Sequence, residues 1–381
     1  MLKTNELNNL FLKAKTLLVC IYIILAPIFK CVPLYMFGYS IIVPVIILMC
    51  IIIFLGMLSS NNLVFGNFSL TLMIVYAIEL FLIRKSSTSV EIGLVLSVFL
   101  YISLLTMRDI PLKTVYISFF IAAFLSAIFS FIYGTETGEV TRTAVNVDGS
   151  ISVITLVIIL LGENEKNCDP LFNIMKVVAF FSSLVVLIFG MSRARIAITV
   201  VIFAFWILKS FMSNIANGIF DTKKFLALIG LIAVFFVLQS QPIVRSLIES
   251  ISKRFEDGFS STGRTDEIQV GIELFKNNMF SGAGWGTLKF RNSDRSIVSY
   301  YNHCMYVAAL ARGGLLFGIP FALSLFSILR KTLVRRKNIM LLILTGIFFA
   351  LGYGNAGIFN YTICSMLVPI SIIINESETD K

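Results

Sequence analysis

The chain has 381 residues, of which 57% are hydrophobic and only 14% charged, with a formal net charge of +10. Soluble domains carry roughly 25% charged residues, so this composition excludes a soluble globular protein. The six cysteines are scattered, mostly within apolar runs, and offer no spacing for a disulfide framework or a zinc site.

A span needs about 20 apolar residues to cross a ~30 Å hydrocarbon layer, which leaves room for about twelve crossings and no separate soluble domain. In chain order, the apolar runs between polar breaks predict spans over 16–37, 39–58, 68–83, 91–107, 113–133 and 147–161. The second half adds 174–190, 195–211, 225–239, 302–329, 339–352 and 356–374. The first run follows Lys3, Lys13 and Lys15 and resembles a signal peptide in its flank, but the many spans behind it favour an uncleaved first span. The expected architecture is therefore an all-α integral membrane protein forming one polytopic domain over 1–381.

Orientation follows from the basic residues. With both termini in the cytoplasm, the cluster "RKTLVRRK" at 330–337 and the pair Lys223 and Lys224 fall on the inner face, as the positive-inside rule requires. Arg84 and Lys85 fall on the opposite face. The net positive charge is this topological bias and not a nucleic-acid footprint.

One connection differs from the rest. Between the ninth and tenth spans the chain stays out of the membrane over 241–301, whereas connections between bundled helices commonly run to about 2–8 residues. This external loop predicts short helices, one in "PIVRSLIESISKRF" and one after Thr265, where Thr-Asp-Glu offers a cap and an acidic first turn. It carries eight basic and seven acidic side chains, so it is close to neutral and position matters more than sum. The candidate arginines are Arg254 in "KRFEDG", Arg264 in "STGRTDE", and Arg193 and Arg195 in "GMSRARIA" at the outer end of a span. The glycine-rich "SGAGWG" at 281–286 has neither the preceding strand nor the Lys-Ser/Thr of a phosphate-binding loop, and it predicts a tight turn.

The only histidine, His303, opens the tenth span beside Tyr301, Asn302 and Tyr306. Arg312, nine residues on, would lie on the opposite face of an unbroken helix and about 13 Å deeper, unless Gly313 and Gly314 break that helix. The acids Glu256, Asp257, Asp266 and Glu267 come as adjacent pairs whose side chains diverge. With no second histidine they make no metal cage and read as caps and arginine partners. Transporters tend to carry paired repeats and matching broken helices in two halves, and the single large loop has no counterpart in the first half.

Taken in order, Ser192-Arg193 at a span end, Arg254-Phe255 and Gly263-Arg264 in a long external loop, the "SGAGWG" turn, and a tyrosine–asparagine–histidine cluster opening a span that continues "GGLLFG" resemble the O-antigen ligase and polymerase family of bacterial envelope polysaccharide synthesis. The resemblance covers about 189–318. Here Asn302 precedes His303, whereas family members usually carry histidine followed by asparagine.

The resemblance implies a glycosyltransferase of the bacterial inner membrane, multi-pass, with its site on the external face. Such an enzyme moves a glycan from a polyprenyl diphosphate carrier to a sugar hydroxyl, without a cofactor or metal. It further implies His303 as catalytic base, Arg193, Arg264, Arg254 and Arg195 as diphosphate ligands, and Tyr301, Asn302 and Tyr306 as substrate contacts. Imidazole can accept a hydroxyl proton near neutral pH, and guanidinium presents paired donors to phosphate oxygens. The expected partners are the polyprenyl diphosphate-linked oligosaccharide, membrane lipid, and chain-length regulator and flippase proteins, with no nucleic acid. Polymerase and ligase activities differ in their acceptor, which the residues leave open.

Overall fold

The computed structural model describes residues 2–28, 35–36, 39–40, 48, 51, 76, 92–105, 110–134, 149–162, 169–190, 193–216, 262–286, 288–291, 297–299, 303–354, 357–359 and 361–376. These are almost entirely helical. In chain order they comprise α1 (Leu2–Ile28), β1 (Tyr35–Met36), β2 (Tyr39–Ser40), α2 (Ile92–Leu105), α3 (Leu112–Gly134), α4 (Ser150–Leu161), α5 (Pro170–Gly190) and α6 (Arg193–Ala216). There follow α7 (Thr262–Asn277), β3 (Lys289–Arg291), β4 (Ile297–Ser299), α8 (Met305–Val334), α9 (Ile339–Gly354), a 3-10 turn (Gly357–Phe359), α10 (Tyr361–Cys364) and α11 (Leu367–Glu376). The predicted spans at 39–58, 68–83 and 225–239 and the helix predicted at 242–255 lie outside or almost wholly outside the described residues.

Among the described residues, the segments Leu112–Ser130, Pro170–Leu187 and Met305–Val334 are long and apolar enough to cross a membrane. Leu94–Leu105, Ser150–Leu161, Ile339–Gly354 and Thr362–Asn375 are shorter apolar helices. Local signals set several starts. Asp169 accepts the Leu171 amide at 3.3 Å ahead of Pro170, whose missing N–H is not needed in a first turn. Asn338 accepts the Leu341 amide at 3.0 Å and caps α9 in the same way. Where hydrocarbon supplies no partner, hydroxyls turn back on their own helix: Ser118 donates to the Thr114 carbonyl, Ser126 to Ala122 and Ser130 to Ser126.

Side-chain contacts between helices show that the bundle alternates in direction. Tyr116 near the start of α3 reaches the Met340 sulfur at 3.7 Å near the start of α9, and Lys113 lies 5.6 Å from the ring of Phe172 at the start of α5. The basic turn after α8 shares this end, where the Arg335 guanidinium donates to the Ile373 carbonyl. At the opposite end, Arg195 at the start of α6 crosses Gly149 at the start of α4, and Tyr306 at the start of α8 donates to the Phe349 carbonyl at 3.0 Å. Consecutive helices from α3 to α6, and again α8 and α9, therefore run up and down as the predicted order of spans requires.

Four expectations are corrected. The first helix begins at Leu2 and ends at Ile28, ahead of the predicted 16–37. The predicted continuous span 356–374 is broken into the 3-10 turn, α10 and α11, with Gly357 at φ 49° opening the break. The segment 241–301 holds an antiparallel pair, Phe290 paired with Val298, besides its helix. Helix α7 starts at Thr262, so Thr265 sits inside its first turn and is not the cap.

The most consequential irregularity is in α8. Gly314 adopts φ 56° and ψ −155°, a region open essentially to glycine alone, and the helix breaks there. The backbone groups freed by the break are taken up by the glycine-rich loop that follows α7. The amides of Ala283 and Gly284 donate to the carbonyls of Ala311 and Arg312 at 2.8 and 2.9 Å, and those of Leu315 and Leu316 donate to Met279 and Phe280 at 2.8 and 3.1 Å. A Cβ at Gly282 would overlap the Arg312 carbonyl, which is why the approach needs glycine there. Irregular backbone at membrane depth is tolerated where protein satisfies its polar groups, and this loop does so.

Two side chains fasten the joint. Arg312 is fully buried and its Nη1 donates to the Gly286 carbonyl at 2.8 Å and the Gly284 carbonyl at 3.5 Å. Trp285 enters an aromatic cluster, 4.8 Å from Tyr76, 5.0 Å from Phe317 and 6.0 Å from Phe359 between ring centroids. The conditional reading of Arg312 is thus settled: the helix does break, and the guanidinium ties the loop to it.

Candidate functional site at the start of the broken helix

The site grows out of that joint. Because the loop over 279–286 is stitched into α8, the helix before it, α7, is held against the first turns of α8. Along α7, Gly271 is buried and Glu267, Ile268, Val270, Leu274 and Phe275 are half-buried, while Asp266, Gln269, Ile272, Glu273, Lys276 and Asn277 are exposed. Glu267, Gly271 and Leu274, spaced four and then three residues apart, form one stripe of that inward face. Glu267 is the acid on that stripe, and it lies nearest the end of α7 that faces the beginning of α8.

There it meets His303, two residues before α8 begins. His303 Nδ1 and Glu267 Oε2 share a hydrogen bond. The side chains are 34% and 21% exposed, so the pair is supported from one side and reachable from the other. One turn further on, Tyr306 packs partly buried with its hydroxyl on the Phe349 carbonyl, which joins α8 to α9 beside the pair. The sequence alone reads Glu267 as one of four acids that cap helices or pair with arginines; its place on the inward face of α7 separates it from the exposed Asp266.

The remaining candidates are placed as follows. Arg193 is the first residue of α6 and Arg264 lies in the first turn of α7, one turn before Glu267. Arg195, partly exposed, lies along Gly149, and a Cβ there would sit 3.2 Å from its Cδ and 3.8 Å from its Nη1. Glycine at 149 thus makes room for this arginine at the start of α4. Tyr301, Asn302 and Arg254 lie outside the described residues. Among the described residues, no group of three or more His, Cys, Asp or Glu side chains is gathered to hold a metal ion.

The apolar helices and the polar pair at their border define an integral membrane protein with a carboxylate-supported imidazole at one end of its bundle. A family model described as O-antigen ligase matches residues 178–303, about a third of the chain, and this segment is similar to that family. The match runs from within α5 to His303 itself and takes in Arg193, Arg195, Arg254, Arg264 and Glu267. No curated protein matches the chain.

Proposed function

We propose that this protein is an envelope polysaccharide polymerase of the bacterial inner membrane, a glycosyltransferase that moves a glycan from a polyprenyl diphosphate carrier to a sugar hydroxyl of a lipid-linked repeat unit. The observation that carries the reading is the Glu267-supported His303 at the end of the family segment. The acceptor hydroxyl loses its proton to the imidazole as its oxygen attacks the anomeric carbon. The bond from that carbon to the diphosphate oxygen breaks, and its electron pair leaves with the lipid diphosphate, which finally takes up a proton.

Arg193 and Arg264, with Arg254 and Arg195, are assigned to the diphosphate, where guanidinium stabilises charge that grows as the bond breaks. Tyr301, Asn302 and Tyr306 are assigned to the sugars. The reading calls for no metal or cofactor. Both termini lie in the cytoplasm and the site on the external face, so the basic turn at 335–337 is cytoplasmic and His303 stands where the carrier's diphosphate lies. A flippase would supply the substrate and a chain-length regulator would act on the product.

The second reading is O-antigen ligase, with a lipid A core as acceptor, and it is favoured by the description of the matching family. Deletion of the gene, read on a polysaccharide gel, separates the two. A polymerase deletion leaves a single attached repeat without the length ladder, whereas a ligase deletion leaves polymer on its carrier and none attached. An unchanged ladder removes both.

A further inference from the structure

We propose that Glu267 is the positioning residue of the site: it fixes the tautomer of His303, holding the ring proton on Nδ1 and the base's lone pair on Nε2. The inference rests on His303 as the base proposed above and adds to it the residue that makes the base usable. A neutral imidazole carries one N–H and one lone pair, and which nitrogen holds which is set by the partner of the other. An ionised carboxylate can only accept, so the bond between Nδ1 and Glu267 Oε2 requires the proton on Nδ1. The lone pair then belongs to Nε2, on the far side of the ring from Glu267. When the acceptor hydroxyl's proton arrives on Nε2, the Nδ1 proton stays in place and the carboxylate balances the imidazolium.

The carboxylate's own position is held through its helix. Glu267 lies on the inward face of α7 with Gly271 and Leu274, while the other described acids of that helix, Asp266 and Glu273, are exposed. The loop that follows α7 is joined to α8 by four backbone hydrogen bonds across the break at Gly314. The loop, the buried Arg312 and the Trp285 cluster therefore fix the register of Glu267 against His303 across 36 residues of chain.

The test exploits the single histidine, since isotope placed in histidine reports on this ring alone. Protein purified through a histidine-free tag, in lipid bilayers and above the imidazole titration, is labelled at Nδ1 or at Nε2 and studied by solid-state NMR. The expected wild-type result is a protonated Nδ1 and an unprotonated Nε2. An unprotonated Nδ1 in the wild type overturns the proposal, and this arm needs no variant.

The second arm uses Glu267→Gln, which keeps shape but offers both a donor and an acceptor. It is expected to lose the single tautomer and, in gene-deleted cells at equal membrane level, to form at least about tenfold less polysaccharide, in line with carboxylate-to-amide changes in other base-orienting pairs. A variant with an unchanged tautomer, or with normal polysaccharide, overturns the positioning role. Failure of the underlying reading looks different: it is a His303→Gln protein that still makes polysaccharide, whatever the nitrogen signals show.

Discussion

Arg312 and Gly286 are joined by a 2.8 Å hydrogen bond from a fully buried guanidinium to a backbone carbonyl, 26 residues apart in the chain. This contact closes the loop against α8 and sits below the Glu267 and His303 pair. It makes the charged side chain of α8 a structural tie between the loop after α7 and the bundle.

Arg312→Met keeps much of the volume and removes the donors. It leaves the Gly286 carbonyl buried without this partner, a loss of about 1–3 kcal/mol. The expected outcome is a lower melting temperature of the detergent-solubilised protein, together with reduced polysaccharide through a loosened site. A melting temperature equal to wild type would show that the carbonyl finds another donor at no cost.

Two glycines of adjacent helices give a matched comparison. Gly314→Ala puts a Cβ onto the Phe280 carbonyl and forces an alanine into a region of φ and ψ that glycine alone occupies easily, a strain of order 1–3 kcal/mol. Gly346→Ala in α9 meets nothing within 4 Å and gains helix propensity of up to ~1 kcal/mol. Thermal unfolding should therefore separate them in opposite directions, with Gly314→Ala below wild type and Gly346→Ala at or above it.

For the proposed base, His303→Ala should lower polymer formation by about 10²–10⁴, the usual contribution of general base catalysis. His303→Gln keeps size and hydrogen bonding, and should keep membrane level without restoring turnover. The check is polysaccharide per cell, with protein level in the membrane measured in parallel.

For the proposed diphosphate ligands, Arg193→Ala and Arg264→Ala should each abolish or nearly abolish product at normal membrane level. Lysine in either place should restore little, because it lacks the planar fork that meets two phosphate oxygens at once. Near-normal product from both lysine variants would show that neither guanidinium grips the diphosphate.

Sidedness is checked with single cysteines in a background lacking the native six. Cysteines at Ser261 and Ser293 should react with an impermeant reagent in intact cells, and one at the exposed Lys337 should not.

Much of the bundle was legible because spans in lipid must be apolar over a fixed length. The starts of α5 and α9 were written locally by Asp169-Pro170 and Asn338. The candidate site was legible in one residue, since His303 could be picked out as the single imidazole at a border. The partner could not, because Glu267 and Asp266 differ in the face they occupy, and which face packs is set by contacts with α8 that come from 36 residues away. Thr265 looked like a cap, yet the helix continues back to Thr262. The break in α8 was visible only as a possibility in Gly313-Gly314, since the partners that stabilise it come from a loop about thirty residues earlier.

That order has a consequence for how the protein is made. A ribosome delivers residues 279–284 before it delivers 311–316, so the strands of backbone that complete the interrupted helix already exist when the interruption emerges. Helix α8 needs no later element to satisfy the backbone of its broken turn, only the return of a segment made just ahead of it. A chain stopped before Gly286 would carry neither the tie nor the pair.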